Sequence, residues 1–385
     1  MRSATAPSHA APAPAAVSGP LRVALVLPAV AALACGVLSG LLRLGLPLPV
    51  ALAQFIGGLI AAHGALMVGG FFGTLIGLER AVAIGARWAY LAPLLSGLSV
   101  IAMLGGAPAV VAPLLMSGAA LVMLIACSSV WLRQRVAHHM ALVVAALAWL
   151  LGNAIWGVTG SVLPAVPLWI AFLVLTIAAE RLELSRFVPT PRVARIVFGF
   201  IVAALTAAAI TVSLATPFGA VSAAGLQVFA AALGALSLWL LRYDIARRTI
   251  RSSGLTRYMA ICLLSGYVWL AVGALAGLFG ALQPGHVLRD AALHAVLLGF
   301  VFAMVFGHAP VIVPAITRIG FNWHRGFYLP LFVLHVTLAA RVLAGVCNWL
   351  ALRQWAAMGN ALVLLLFFAM AVGSLLAARK PSTPT

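Results

Sequence analysis

The stretch His294-Ala-Val-Leu-Leu-Gly-Phe-Val-Phe-Ala-Met-Val-Phe-Gly-His308 sets two imidazoles at the ends of thirteen uncharged, almost wholly apolar residues. Apolar residues continue on both sides, over 291–317, which exceeds the ~20 needed to cross a ~30 Å hydrocarbon core. Eleven further runs of this kind occur along the chain, near 23–44, 50–78, 88–107, 109–132, 139–160, 162–180, 196–215, 219–241, 258–282, 326–347 and 354–378. The expected fold class is therefore all-α: a polytopic transmembrane helical bundle of about 12 helices.

Composition agrees. The chain is 65% hydrophobic and only 7% charged, where a soluble domain carries roughly 25% charged residues. Its net charge of +18 lies between the apolar runs, so it reads as a topology signal and argues against nucleic acid as a partner. The lipid bilayer is the partner that composition implies. Cys35, Cys127, Cys262 and Cys347 are scattered singly, which supports neither a disulfide framework nor a thiolate zinc site. Residues 1–21, rich in Ala, Pro and Ser, read as a disordered cytoplasmic tail. No cleavage site follows the first apolar run, so the tail does not read as a cleaved signal. Residues 22–380 form one transmembrane domain, and 381–385 a short tail.

Arginine placement orients the bundle. With the amino terminus inside, nineteen of the 23 Lys and Arg residues fall on the cytoplasmic side; only Arg43, Arg289, Arg341 and Arg353 fall outside. This positive-inside bias puts both termini in the cytoplasm of a multi-pass protein of the cytoplasmic (inner) membrane. Among the carboxylates, Glu79, Glu180, Glu183 and Asp244 stand beside arginines at inner segment ends, as salt-bridged boundary residues do. Asp290 is expected to pair with its neighbour Arg289.

Ionisable groups inside the membrane are functional candidates by default, and here they are histidines. His9, His286 and His324 fall in tail or loops, and His138 and His139 snorkel at an interface. Four remain: His63 on the second segment, His294 and His308 on the tenth, His335 on the eleventh. At 1.5 Å per residue, His308 and His335 lie roughly 15 Å above the inner arginines, and His294 roughly 36 Å above them. Counted from Arg87, His63 stands level with His294; counted from Glu79-Arg80, it falls nearer mid-membrane. In a regular α-helix His294 and His308 face one way, about 21 Å apart, so one metal ion cannot touch both. On the second segment, Gly69-x-x-x-Gly73-x-x-x-Gly77 is a small-residue ridge that admits a helix or a flat ligand.

Each imidazole can be a hydrogen-bonded packing residue. Four of them, paired by depth, also suit a cofactor, because imidazole is the commonest metal ligand and serves both iron and copper. The expectation is that His63 and His294 hold a haem axially and that His308 and His335 form a second, inner metal site.

The segments "AHGALMVGGFFGTLIGLERAVAIG" and "LHAVLLGFVFAMVFGHAPVIVPAITRI" resemble the His-Gly-rich second and tenth helices of NnrS-type proteins, twelve-helix haem- and copper-containing membrane proteins associated with nitric oxide metabolism. More distantly the chain resembles the catalytic subunit of haem-copper oxidases. The close similarity covers about fifty residues. It implies haem of b type at His63 and His294, copper as a second cofactor, and a redox or nitrogen-oxide role with an electron-transfer partner. Segment ten lacks the His-x-His of the oxidases, and segments six and seven carry no histidine. Oxygen reduction, nitric oxide reduction and proton pumping are therefore not implied, and no catalytic residue is assigned. Two other functions fit the same composition: a twelve-helix secondary transporter, and a haem or copper delivery protein.

Overall fold

The computed structural model describes residues 17–185, 190–218 and 222–379. Among them there is no strand, and twelve helices are long and apolar enough to span a membrane. We number these α1 (Gly19–Arg43), α2 (Ile60–Ile84), α3 (Arg87–Leu104), α4 (Val111–Arg133), α5 (Ala137–Thr159), α6 (Leu163–Leu184), α7 (Arg192–Ala215), α8 (Ala223–Tyr243), α9 (Gly254–Leu278), α10 (Arg289–Thr317), α11 (Arg325–Val346) and α12 (Leu350–Ala378). The protein is a polytopic helical bundle.

Three boundaries differ from those expected. Helix α1 starts at Gly19, with Pro20 in its first turn where the missing N–H costs nothing, so residues 19–21 are helix rather than tail. Residues 1–16 and 380–385 lie outside the described residues. The second apolar run is not one helix: a short helix, Val50–Gly57, breaks at Gly57-Gly58, and the span restarts at Ile60. That span also runs on past Arg80 to Ile84, where Gly85 closes it at φ 75°. His63 is thus the fourth residue of α2 and His294 the sixth of α10, so both stand at the start of their helices.

The bundle has a centre. Over their most apolar stretch, α6 is 78% buried, α10 61% and α2 56%, against 50% or less for every other span. These three helices touch pairwise: Phe71 of α2 stacks on Phe302 of α10, Arg80 of α2 bridges Glu180 of α6, and Arg181 of α6 reaches His308 of α10. The second, sixth and tenth spans are four apart. The chain is therefore three successive groups of four helices, each placing its second helix at the axis.

Two of the three central helices are unwound in their upper half. Leu66–Gly73 of α2 and Ala295–Phe302 of α10 are π-helical, with i→i+5 hydrogen bonds, and each begins within three residues of its histidine. In α2 two of the shifted carbonyls are taken by hydroxyls: Ser96 Oγ donates to Gly69 O (2.8 Å) and Thr74 Oγ1 to Gly70 O (2.7 Å). The small-residue ridge lets neighbours close on this wider coil. A Cβ on Gly69 would fall 2.1 Å from Met116 Sδ, and one on Gly73 2.4 Å from Trp149 Cζ2. Helices α4 and α5 therefore occupy the ridge, with no room there for a flat ligand. Below the histidines, Phe71, Phe72, Phe302 and Phe368 pack in one aromatic group that seals the middle of the bundle.

Candidate functional site: a histidine pair at one end and a carboxylate cluster at the other

The histidine site follows from two helix starts. His63 lies against α1, where its Nδ1–H donates to Gly36 O (2.7 Å) and a Cβ on Gly40 would meet the ring at 3.0 Å. His294 donates its Nδ1–H to Asp290 O (2.7 Å), one turn back on its own helix. A carbonyl can only accept, so both imidazoles are fixed with Nε2 bare. Metal-bound histidines are commonly held this way, with a backbone acceptor on the nitrogen that does not face the metal. The two rings lie within electrostatic reach of each other.

The charges around them are unusual for this chain. Asp290 does not pair with Arg289, whose Nη1 donates to Leu282 O. It takes a two-pronged bridge from Arg341 instead (Nε–Oδ2 2.8 Å, Nη2–Oδ1 2.8 Å) and sits 3.3 Å from His294 Nδ1. Arg341 extends the network to Asn360, which donates to Thr337. Arg43 and Arg341 act on His63, Arg353 on Asp290, and Arg43 on Arg289. Of the four arginines expected on the outer side, Arg43 and Arg341 thus act on the histidine pair and Arg353 on Asp290, which bridges Arg341.

The lower pair does not come together. His308 donates Nδ1–H to Met304 O (2.8 Å), and its Nε2 faces Arg181 Nη1 at 3.4 Å, on α6. A metal on that nitrogen would compete with a guanidinium. His335 instead faces α9: Trp269 Nε1–H donates to its Nδ1 (2.9 Å), so Nε2 carries the proton and donates to Ser265 Oγ (2.9 Å). With both nitrogens engaged it has no lone pair for a metal, and it shares no hydrogen-bond partner with His308. The π-helical turns between His294 and His308 interrupt the α-helical phase on which their expected common face rests; both donate Nδ1–H to a carbonyl one turn back on α10, and His308 also reaches Arg181 on α6. Among the described residues no group of three His, Cys, Asp or Glu gathers as a metal ion would need.

The opposite end of these helices holds a carboxylate cluster. Arg80 Nη2 is shared by Glu79 Oε1 (2.9 Å) and Glu180 Oε1 (3.0 Å), joining α2 to α6. The next residue, Arg181, is clamped by Asp244 (Nε–Oδ2 2.8 Å, Nη2–Oδ1 3.1 Å), which also accepts from Tyr267 Oη (2.9 Å) and the amide of Ala246 (2.6 Å). Glu183 lies within electrostatic reach of Glu180. Three of the five carboxylates in a chain of net charge +18 thus pair with two adjacent-helix arginines, with Glu183 near Glu180. They are not independent boundary residues. One sequence signal pointed here: the pair Glu-Arg occurs twice, at 79–80 and 180–181, near the inner ends of the second and sixth spans.

These features define a class: a twelve-span membrane protein with a three-helix axis, carrying a cationic histidine site at one end and a carboxylate cluster at the other. The chain belongs to the family described as a domain of unknown function (DUF8744), whose profile matches residues 22–376. No curated protein matches it, and no solved structure does.

Proposed function

We propose that this protein binds haem in the membrane through His63 and His294 and serves a redox role in nitrogen-oxide handling, as its resemblance to NnrS-type proteins implies. One observation supports the reading above the rest: both imidazoles are held by backbone carbonyls at Nδ1, which leaves each Nε2 free on a central helix. When bound, haem supplies a one-electron couple. The protein's part is to fix both rings, keep them neutral ligands and surround them with positive charge. Arg43, Arg341 and Arg353 suit a cofactor that carries carboxylates, and they favour its reduced, more negative state. Inner-membrane localisation with both termini in the cytoplasm belongs to the same proposal.

The optical spectrum of the purified protein tests it. Soret and α bands are expected in the wild type, lost in His63→Ala and in His294→Ala, and retained in His335→Leu. A colourless wild type, free of iron after expression with haem supplied, overturns the reading. Bands that survive both single substitutions overturn the ligand assignment.

A second reading, a proton- or cation-coupled transporter, draws support from the inner cluster, because carboxylates gathered inside a helical bundle commonly line ion pathways. Dependence of substrate uptake in proteoliposomes on Glu79 and Glu180, with no chromophore in the protein, would favour it over the first.

A further inference from the structure

At the membrane face where α10 ends and α11 begins, a cleft of about 410 Å³ opens between the first turns of α9 and α11. Its volume lies within the range of small-molecule sites. Arg257 and Arg325 line it, both exposed, and neither has a hydrogen bond or ion pair among the described residues. No carboxylate lines the cleft. Two further donors wait there: Ser253 makes no side-chain cap to α9, and the indole Nε1 of Trp323 is buried with no partner. The cleft also borders the start of the 25-residue helix α9, whose first N–H groups and dipole favour an anion.

The surface below the arginines says which anion. From Arg325, the positions Leu329, Phe332 and Val336 follow at helical spacing on α11, and they are 56%, 66% and 49% exposed. From Arg257, Ile261, Leu264 and Val268 follow with the same spacing on α9, and Val268 is 53% exposed. The two helices are neighbours, joined through the Trp269–His335–Ser265 bonds. Two apolar stripes therefore run side by side from the paired arginines towards the membrane interior. Tyr328 and Trp323, whose rings lie 6.3 Å apart, stand at the level where aromatic residues meet headgroups. A free phosphate would need the arginines alone. Arginines with two apolar tracks and an aromatic collar suit a molecule with a phosphate head and acyl tails.

We propose that this cleft is a specific binding site for one anionic phospholipid, its phosphate held by Arg257 and Arg325 and its acyl chains laid along α9 and α11. The proposal is independent of the haem reading, since the site shares no residue with the histidine pair.

Native mass spectrometry of the full chain in detergent, titrated with phosphatidylglycerol or with phosphatidylcholine, tests it. One phosphatidylglycerol is expected to bind in preference to phosphatidylcholine, and Arg257→Gln/Arg325→Gln should weaken it roughly thirty-fold. The control Arg192→Gln/Arg195→Gln removes the same charge from another helix start, at exposed positions, and should leave binding unchanged. Equal loss in both double variants means a general charge effect and overturns the proposal, as does equal affinity for the two lipids. Displacement of the lipid by millimolar inorganic phosphate would assign the site to a free anion and also overturn it.

Discussion

Removing the carboxylate of Asp244 should unlock the axis of the bundle. The Arg181–Asp244 pair is the most buried ion pair described, with side chains 3% and 0% exposed. All four acceptor directions of Asp244 are used, by Arg181 Nε and Nη2, Tyr267 Oη and the Ala246 amide. Asp244→Ala leaves a guanidinium without its counter-charge and a phenol and an amide without their acceptor. Breaking one side of such a pair costs about 3–5 kcal/mol, because the surviving charge keeps its desolvation penalty. Restoring charge neutrality should recover part of that loss, so Arg181→Met/Asp244→Leu is expected to be more stable than Asp244→Ala, though below wild type, since Tyr267 and Ala246 stay unpaired. The assay is unfolding in mixed micelles followed by tryptophan fluorescence, with size-exclusion profiles to confirm a dispersed starting state. An Asp244→Ala variant as stable as wild type would refute the reasoning. So would a double variant no better than the single, since the cost would then lie in lost hydrogen bonds rather than in an orphaned charge.

Other outcomes follow from the same geometry. Gly73→Ala should destabilise by about 1–3 kcal/mol, because its Cβ would strike Trp149, itself stacked on Phe172; Gly199→Ala, with nothing within 4 Å, should be near neutral in the same melt. His335→Leu should lower stability by about 1–3 kcal/mol through the unpaired Trp269 N–H, yet leave iron and copper content unchanged; a loss of bound metal would contradict the packing role given to this ring. A membrane-impermeant maleimide should label the exposed Cys347 in intact cells, since the turn between α11 and α12 lies outside if both termini lie inside. Labelling only after permeabilisation would reverse the orientation.

Much of this was legible in the residues. Eleven of the twelve spans fall within a few positions of those expected, because apolar runs of membrane length have few other uses; the second starts ten residues late, after the break at Gly57-Gly58. The outer site was legible in its histidines, although its arginines read only as topology exceptions. What stayed hidden depends on which helices become neighbours. Glu79-Arg80 and Glu180 are a hundred residues apart, and Arg181 and Asp244 are 63 apart, so each looked like a boundary residue beside a local arginine. The expected His308–His335 pair had the opposite fault: similar depth, but different faces. The π-helical turns were invisible too. Leu66–Gly73 and Ala295–Phe302 read as ordinary apolar helix, and apolar periodicity does not separate i→i+5 from i→i+4 bonding over so short a stretch.

Those turns carry a mechanical consequence. Eight residues bonded i→i+5 complete less rotation than eight bonded i→i+4, so each wide section stores a deficit of twist between the ends of its helix. In α2 the deficit lies between His63 and Glu79, and in α10 between His294 and His308. A slip of one residue back into α-helical phase would swing everything below it by about 100° relative to everything above. Helix α6, regular α-helix from Val166 to Leu184, has no such section. In both helices the histidine at the start is thus separated from the residues at the far end by a change of pitch, not joined to them by one continuous α-helical rod.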